Sequence, residues 1–186
     1  QRLRAAVRAL PRAPERPSGY DRDLFRHWVD ADGDCQDTRE EVLVAESRIP
    51  LSGCTITEGD WLSPYDRETW TQGSDVDIDH LVPLKEAWDS GARRWGDRRR
   101  ERFANDLGDP RSLVAVTDNV NQSKGERDVA EWLPEFGVCR YVRQWVAVKH
   151  RWDLTVDRAE RRALRQRARA CPNRRLAWVD ARTAAR

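Results

Sequence analysis

The sequence predicts an α+β fold: a small strand–strand–helix core wrapped by helices and stapled by two disulfides. Three observations lead there. They are the alternating stretch Asp75-Val-Asp-Ile-Asp-His-Leu-Val-Pro83, the strand-then-helix stretch Leu113-Val-Ala-Val-Thr-Asp-Asn-Val-Asn-Gln-Ser-Lys-Gly125, and four widely spaced cysteines. In an extended strand Asp75, Asp77 and Asp79 share one face while Val76 and Ile78 share the other. The apolar pair anchors the strand in a core and the carboxylates project together toward a divalent cation. Pro83 has no ladder donor and ends the strand, so His80 falls at its mouth, a proton acceptor beside metal-binding groups.

The elements follow in order. Residues 1–18, rich in Arg, Ala and Pro, read as a flexible lead-in. Ordered structure is expected from Tyr20 to Val29, where Phe25, Trp28 and Val29 are apolar. Between Arg39 and Ser47, Val42 and Val44 alternate and mark a strand-like piece. Trp61 to Trp70, broken by Pro64, reads as a hairpin. Val76 to Val82 is the first strand of the core, and Leu84 to Gly91 a short helix with Leu84, Ala87 and Trp88 inward. Asp97 to Leu107 is a helix stopped by Gly108 and Pro110. Arg111 to Val116 is the second core strand, and Thr117-Asp118 caps a helix carrying Asn119 and Asn121. Cys139 to Trp152 has helical apolar spacing, and Asp157-Arg-Ala-Glu160 opens a last helix to Ala170 like a capping box. Residues 172–186 form a polar tail. The expected organisation is therefore a lead-in, one domain over 19–171, and the tail.

Cys35, Cys54, Cys139 and Cys171 contain no Cys-x-x-Cys pair, and zinc would want closer spacing. Two disulfides in an exported protein are the better reading. Three pairings are possible; Cys35–Cys54 and Cys139–Cys171 are favoured because each joins near neighbours. Each would contribute about 3 kcal/mol in the chain-entropy picture. No run of eighteen apolar residues exists to form a membrane-spanning helix, and the absence of a signal peptide at Gln1 suggests a processed or trimmed chain. The net charge is only +2, yet arginines crowd into 93–102 and 158–175. Such runs either track a phosphate backbone or form solvated helix faces. Asp30-Ala-Asp-Gly-Asp34 has the alternating oxygens of a calcium loop, but its glycine stands at the fourth position, not the sixth. It is either a calcium site or a polar turn before Cys35.

The pairing of Asp79-His80 on a strand with Asn121-x-x-Lys124-Gly125 on a helix resembles the HNH (ββα-metal, His-Me finger) endonuclease superfamily. Within it, the likeness is to the secreted HNH-family proteins of actinomycetes. The resemblance extends through Leu84-Lys-Glu-Ala-Trp-Asp-Ser-Gly-Ala92, Phe103-Ala-Asn-Asp-Leu107, Ser123-Lys-Gly-Glu-Arg-Asp128 and Glu131-Trp-Leu-Pro134, covering residues 20–171. It implies His80 as the general base that deprotonates water, with Asp79 and Asn121 as ligands of one divalent cation. That cation would be magnesium, with manganese or calcium as alternatives. Asn stands at 121 where the superfamily usually has its last His, which favours an oxygen-ligating metal. Asn105 is the candidate for the pattern's central Asn, although Ser112 precedes Leu113 where an Asn-Leu pair often occurs. Arg39, in Cys35-Gln-Asp-Thr-Arg39, is the candidate phosphate clamp because related proteins carry a similar segment. His27 and His150 lack ligand-like neighbours and read as structural or surface residues.

The function implied is a secreted, metal-dependent endonuclease hydrolysing DNA, or RNA as well, with little sequence preference. The chain would act as a monomer, with no membrane partner. A lone Asp-His pair or a few carboxylates on a wet strand face would not carry this; the ordered second segment does. Two other readings stand beside it: a non-catalytic exported metal- or nucleic-acid-binding module, and a delivered toxin nuclease.

Overall fold

A computed structural model of the chain describes residues 1–181. Seven α-helices and four strands are present among them: α1 Leu3–Ala9, α2 Thr38–Glu46, β1 Glu58–Leu62, β2 Thr69–Gln72, β3 Val76–His80, α3 Leu84–Asp89, α4 Asp97–Ala104, β4 Leu113–Thr117, α5 Asp118–Lys124, α6 Val138–Trp152 and α7 Arg158–Ala170. The class is α+β. Strands β1 and β2 form one antiparallel pair, and β3 and β4 another.

The β3–β4 pair positions the site. Its register sets Val76 opposite Thr117, Ile78 opposite Ala115 and His80 opposite Leu113; between these, Asp77 faces Val116 and Asp79 faces Val114. Because side chains alternate, the two faces of this ribbon enter different cores. Val76, Ile78, Leu113 and Ala115 pack with Val42, Leu43, Ile56 and Trp61, whereas Val114 and Val116 join the larger helical core around Tyr65, Tyr141 and Trp145. Strand β4 is buried along its whole length, which explains its unbroken apolar run. Helix α5 continues from β4 and folds back over β3 and β4. Gly125 ends it at φ 56°, ψ −131°, a backbone conformation that side chains disfavour.

Four expectations change. The strand-like reading of Arg39 to Ser47 gives way to helix α2: the Asp37 carboxylate accepts from the backbone N–H groups of Arg39 and Glu40, and the buried side chains are Thr38, Val42 and Leu43. An N-cap outweighed an alternation only two residues deep. The lead-in is not uniformly flexible, since Leu3, Ala6 and Val7 of α1 are buried and α1 packs on α7. The tail is also engaged as far as it is described. The Leu176 N–H donates to the Gln1 carbonyl, and Leu176 and Ala181 are buried; residues 182–186 lie outside the described residues. Asp75 closes a single 3-10 turn over Gly73–Asp75, before the strand, so only Asp77 and Asp79 share the carboxylate face.

Both favoured disulfides are present. Cys35–Cys54 spans 5.1 Å between Cα atoms and Cys139–Cys171 spans 5.5 Å, the latter joining the start of α6 to the end of α7. Asp157 caps α7 by accepting from the Glu160 N–H. The reciprocal arm of a capping box is missing because Glu160 turns inward to Lys149 and Trp145. In the loop before Cys35, the carboxylates of Asp30, Asp32 and Asp34 gather at the surface, and Asp30 accepts from the N–H groups of Gly33 and Cys35.

Candidate active site

The open end of β3 faces a pocket of about 200 Å³ lined by Asp79 and His80, by Asn121, Gln122 and Gly125 from α5, and by Tyr20 and Arg22 from the segment before α2. Asp79 and His80, being neighbours on a strand, leave it on opposite faces. The strand ends at His80, so both still border the same opening.

Asp79 is almost fully buried and well supplied with donors. The Lys124 ammonium lies 2.6 Å from both carboxylate oxygens, and the Tyr65 hydroxyl donates to Oδ2 at 2.5 Å. Lys124 also donates to the carbonyls of His80 and Leu81, at 2.9 and 3.1 Å, so it clamps the C-terminal end of β3 to α5. Burial pushes the Asp79 carboxyl up and the Lys124 ammonium down; their mutual attraction opposes both shifts. Asn121 donates through Nδ2 to Asp77 Oδ2 at 3.1 Å, which fixes the amide orientation and leaves its carbonyl oxygen as the acceptor.

His80 is held differently. Its Nε2 lies 2.8 Å from the Ala104 carbonyl, which can only accept, so Nε2 carries the proton and Nδ1 the lone pair. The ring stacks on Trp28 at 5.6 Å between centroids, with His27 edge-on at 6.2 Å. Burial lowers the His80 pKa to about 3; the Ala104 hydrogen bond opposes this, and the charges of Arg22, His27 and Lys124 reinforce it. At neutral pH the ring is therefore an uncharged proton acceptor.

Asn105 sits at the end of α4 and spends its whole side chain on backbone. Oδ1 accepts from the Val29 N–H at 3.1 Å, and Nδ2 donates to the carbonyls of Arg26 and Glu101 at 2.8 Å each. It thus fastens residues 26–29, which carry Trp28, next to Ala104, which holds His80. Ser112, its rival for the central position, donates to Asp106 instead. Arg39 is not brought to the pocket. Its guanidinium donates to the carbonyls of Gly73 and Val76 at 2.9 and 3.1 Å, tying α2 to the turn before β3. Arg22 is the guanidinium that borders the opening. His27 and His150 donate to or accept from nothing in the pocket; each contacts a backbone carbonyl, of Phe25 and Ala6 respectively.

Sequence reasoning missed Lys124 as the partner of Asp79, although its place three residues after Asn121 put both on one helix face. Tyr65 and Trp28 gave no local signal, since each reaches the site from a distant segment.

As to a cation, the opening offers two hard oxygens, with the Lys124 ammonium as a close neighbour of one of them. A carboxylate offers about four acceptor positions. Asp79 uses three on Lys124 and Tyr65, and the Asn121 carbonyl supplies a second hard oxygen at the same opening.

Comparison with known families points to the nuclease type. The model of the family described as GmrSD restriction endonucleases, C-terminal domain, matches residues 40–167, more than two thirds of the chain. The chain belongs to that family. A protein of the fungus Arthroderma benhamiae, named only as an uncharacterized secreted protein, is 46% identical over 175 residues, covering 92% of this chain and 84% of its own. No solved structure matches at a significant level. No helix among the described residues is long and apolar enough to cross a membrane.

Proposed function

We propose that this chain is an exported, metal-dependent endonuclease of the ββα-metal kind that hydrolyses the phosphodiester backbone of DNA or RNA without strong sequence preference. The observation that carries the reading is the His80 tautomer. A carbonyl at Nε2 leaves Nδ1 as the proton acceptor of a ring bordering the same opening as Asp79 and Asn121. Membership of a nuclease family supports it, as do two disulfides and the secreted relative for the exported setting.

In this reading His80 Nδ1 takes the proton of a water attacking phosphorus in line with the departing 3′-oxygen. Arg22, at the rim, neutralises the phosphate. Asp79 and Asn121 would hold the cation, magnesium first; when bound it supplies Lewis-acid polarisation of the phosphate and neutralises charge at the leaving oxygen. Lys124 and Tyr65 keep the Asp79 carboxylate in place, while Asn105 positions the wall against which His80 rests. Contacts of this kind, to phosphate, fix position on the backbone and not sequence.

The test is digestion of supercoiled plasmid and of a long RNA, with EDTA or with added magnesium, manganese or calcium, beside His80→Ala. The expected result is cation-dependent cleavage reduced about 10²- to 10⁴-fold in the variant. A folded parent that cuts neither substrate with any of the three cations would leave a nucleic-acid-binding module as the better description.

A further inference from the structure

A larger groove, of about 950 Å³, runs between residues 12–15 and one face of α7. Arg12, Arg158, Arg161, Arg162, Arg165 and Arg169 all line it, against two carboxylates, Glu15 and Asp157. Four positive charges are left in excess. None of the six arginines forms an ion pair among the described residues, in contrast to Arg48, Arg100, Arg111 and Arg151, which each hold a carboxylate. The Nε of Arg161 is buried without any hydrogen-bond partner. Partial desolvation, and then repulsion from Arg12 and Arg165, pull its guanidinium below the usual arginine range.

Five of the six, all but Arg161, are exposed to solvent, yet all six border one cleft. Its second wall is pinned: the Ala13 N–H donates to the Val156 carbonyl and the Val156 N–H to the Pro11 carbonyl. Along α7, Arg158, Arg162, Arg165 and Arg169 follow helical spacing on one stripe about 16 Å long, at about 1.5 Å per residue. Each strand of a duplex carries a phosphate about every 3.4 Å along the duplex axis, so a stripe of this length lying parallel to that axis spans about five of them.

We propose that this groove is a second nucleic-acid site, an exosite that grips the phosphodiester backbone outside the His80 pocket. The naming of the polyanion rests on the nuclease reading. The connection between the two sites is short. Glu15 borders the groove and Tyr20 the pocket, so they are five residue steps apart, a span of at most about 18 Å. One strand about five nucleotides longer than the groove's footprint would reach both.

The experiment measures binding of a fluorescent 30-mer, single- and double-stranded, by anisotropy in EDTA over a salt series. Arg162→Ala/Arg165→Ala/Arg169→Ala is compared with Arg93→Ala/Arg94→Ala/Arg98→Ala, which removes equal charge from another basic run, and with His80→Ala. Circular dichroism and a melting curve check the fold of each. The groove triple should weaken duplex binding about tenfold or more and reduce the slope of log K against log salt by about 2.7, roughly 0.9 per lost phosphate contact. The other two variants and the triple replacement of Arg162, Arg165 and Arg169 by Lys should stay near the parent. Parental affinity and slope in the groove triple, an equal loss in both alanine triples, or no binding by the parent at low salt would each overturn the proposal. So would capture of phosphatidylserine vesicles through these arginines in preference to the oligonucleotide. Because no cleavage is read, failure of the nuclease reading shows separately, as groove-dependent binding by a protein that digests nothing.

Discussion

Two lysines of this protein are completely buried, and they are solvated in opposite ways. Lys124 meets one carboxylate, Asp79, and two main-chain carbonyls. Lys149, in α6, meets two carboxylates, Glu86 and Glu160, together with Ser90 and the Thr155 carbonyl. Burial lowers the pKa of the first. At the second, burial acts in the same direction but the two carboxylates outweigh it, and the pKa is raised. The second cluster has excess acid, and Glu160 is pushed up to about 8, by burial first, against the attraction of Lys149. The difference teaches where polar burial serves geometry and where it serves a site. The Lys149 cluster closes a helical core, linking α3, α6 and α7, whereas the Lys124 pair ends at an opening and presents Asp79 to it.

The sharpest way to break the comparison is to remove each ammonium. Lys149→Met strands two carboxylates in the core, and denaturant unfolding should show a loss of about 3–5 kcal/mol, growing as pH rises. A loss under 1 kcal/mol would mean that the cluster is wetter than described. Lys124→Met should cost less, about 2–3 kcal/mol, since Tyr65 still donates to Asp79 and the carboxyl can protonate. Cleavage should fall with it. Pairing it with Asp79→Asn should recover much of the stability and none of the activity.

The smallest effect is the most diagnostic. Glu160 has a folded pKa of about 8, above its unfolded value. Its contribution to stability is therefore complete below about pH 4.5 and lost as pH climbs through 8. The melting temperature of the parent should decline over that window. Glu160→Gln, which can still accept from Trp145, should flatten the decline; an unchanged slope would place the titrating group elsewhere.

The elements that border the candidate pocket were more legible in the sequence than the parts of the chain around them. Strands β3 and β4 and helix α5 were legible because alternation, a strand-ending proline and a strand-to-helix switch at Thr117 fall within a few residues, although the Thr117 hydroxyl caps nothing and accepts from Trp70 instead. Helix α7 was legible from its Asp157-Arg-Ala-Glu160 opening, although its buried face is only Glu160, Leu164 and Ala168. Helix α1 was hidden by the arginines and prolines around it, although Leu3, Ala6, Val7 and Leu10 already carried helical spacing. Arg39 shows the limit of reading roles by likeness: its guanidinium is used on two carbonyls before β3. Asn105 shows the converse, a residue found by pattern whose contacts are all with backbone. What could not be read were the long-range partners, Tyr65 on Asp79 and Trp28 on His80, which only the tertiary fold brings together.

The disulfides carry a final consequence. Their two loops, closing 19 and 32 residues, neither nest nor interleave, and the whole β3–β4–α5 segment lies in the chain between them. Each bridge can form from its own stretch of chain without waiting for the other, so oxidation needs no obligatory order or reshuffling. The pocket is lined by residues 78–126, between the two loops, and by Tyr20 and Arg22, before the first, so neither covalent loop encloses any of its lining. Reductant should thus loosen the two ends of the molecule first, leaving His80 and Asn121 held by noncovalent packing alone, as they are in the oxidised protein.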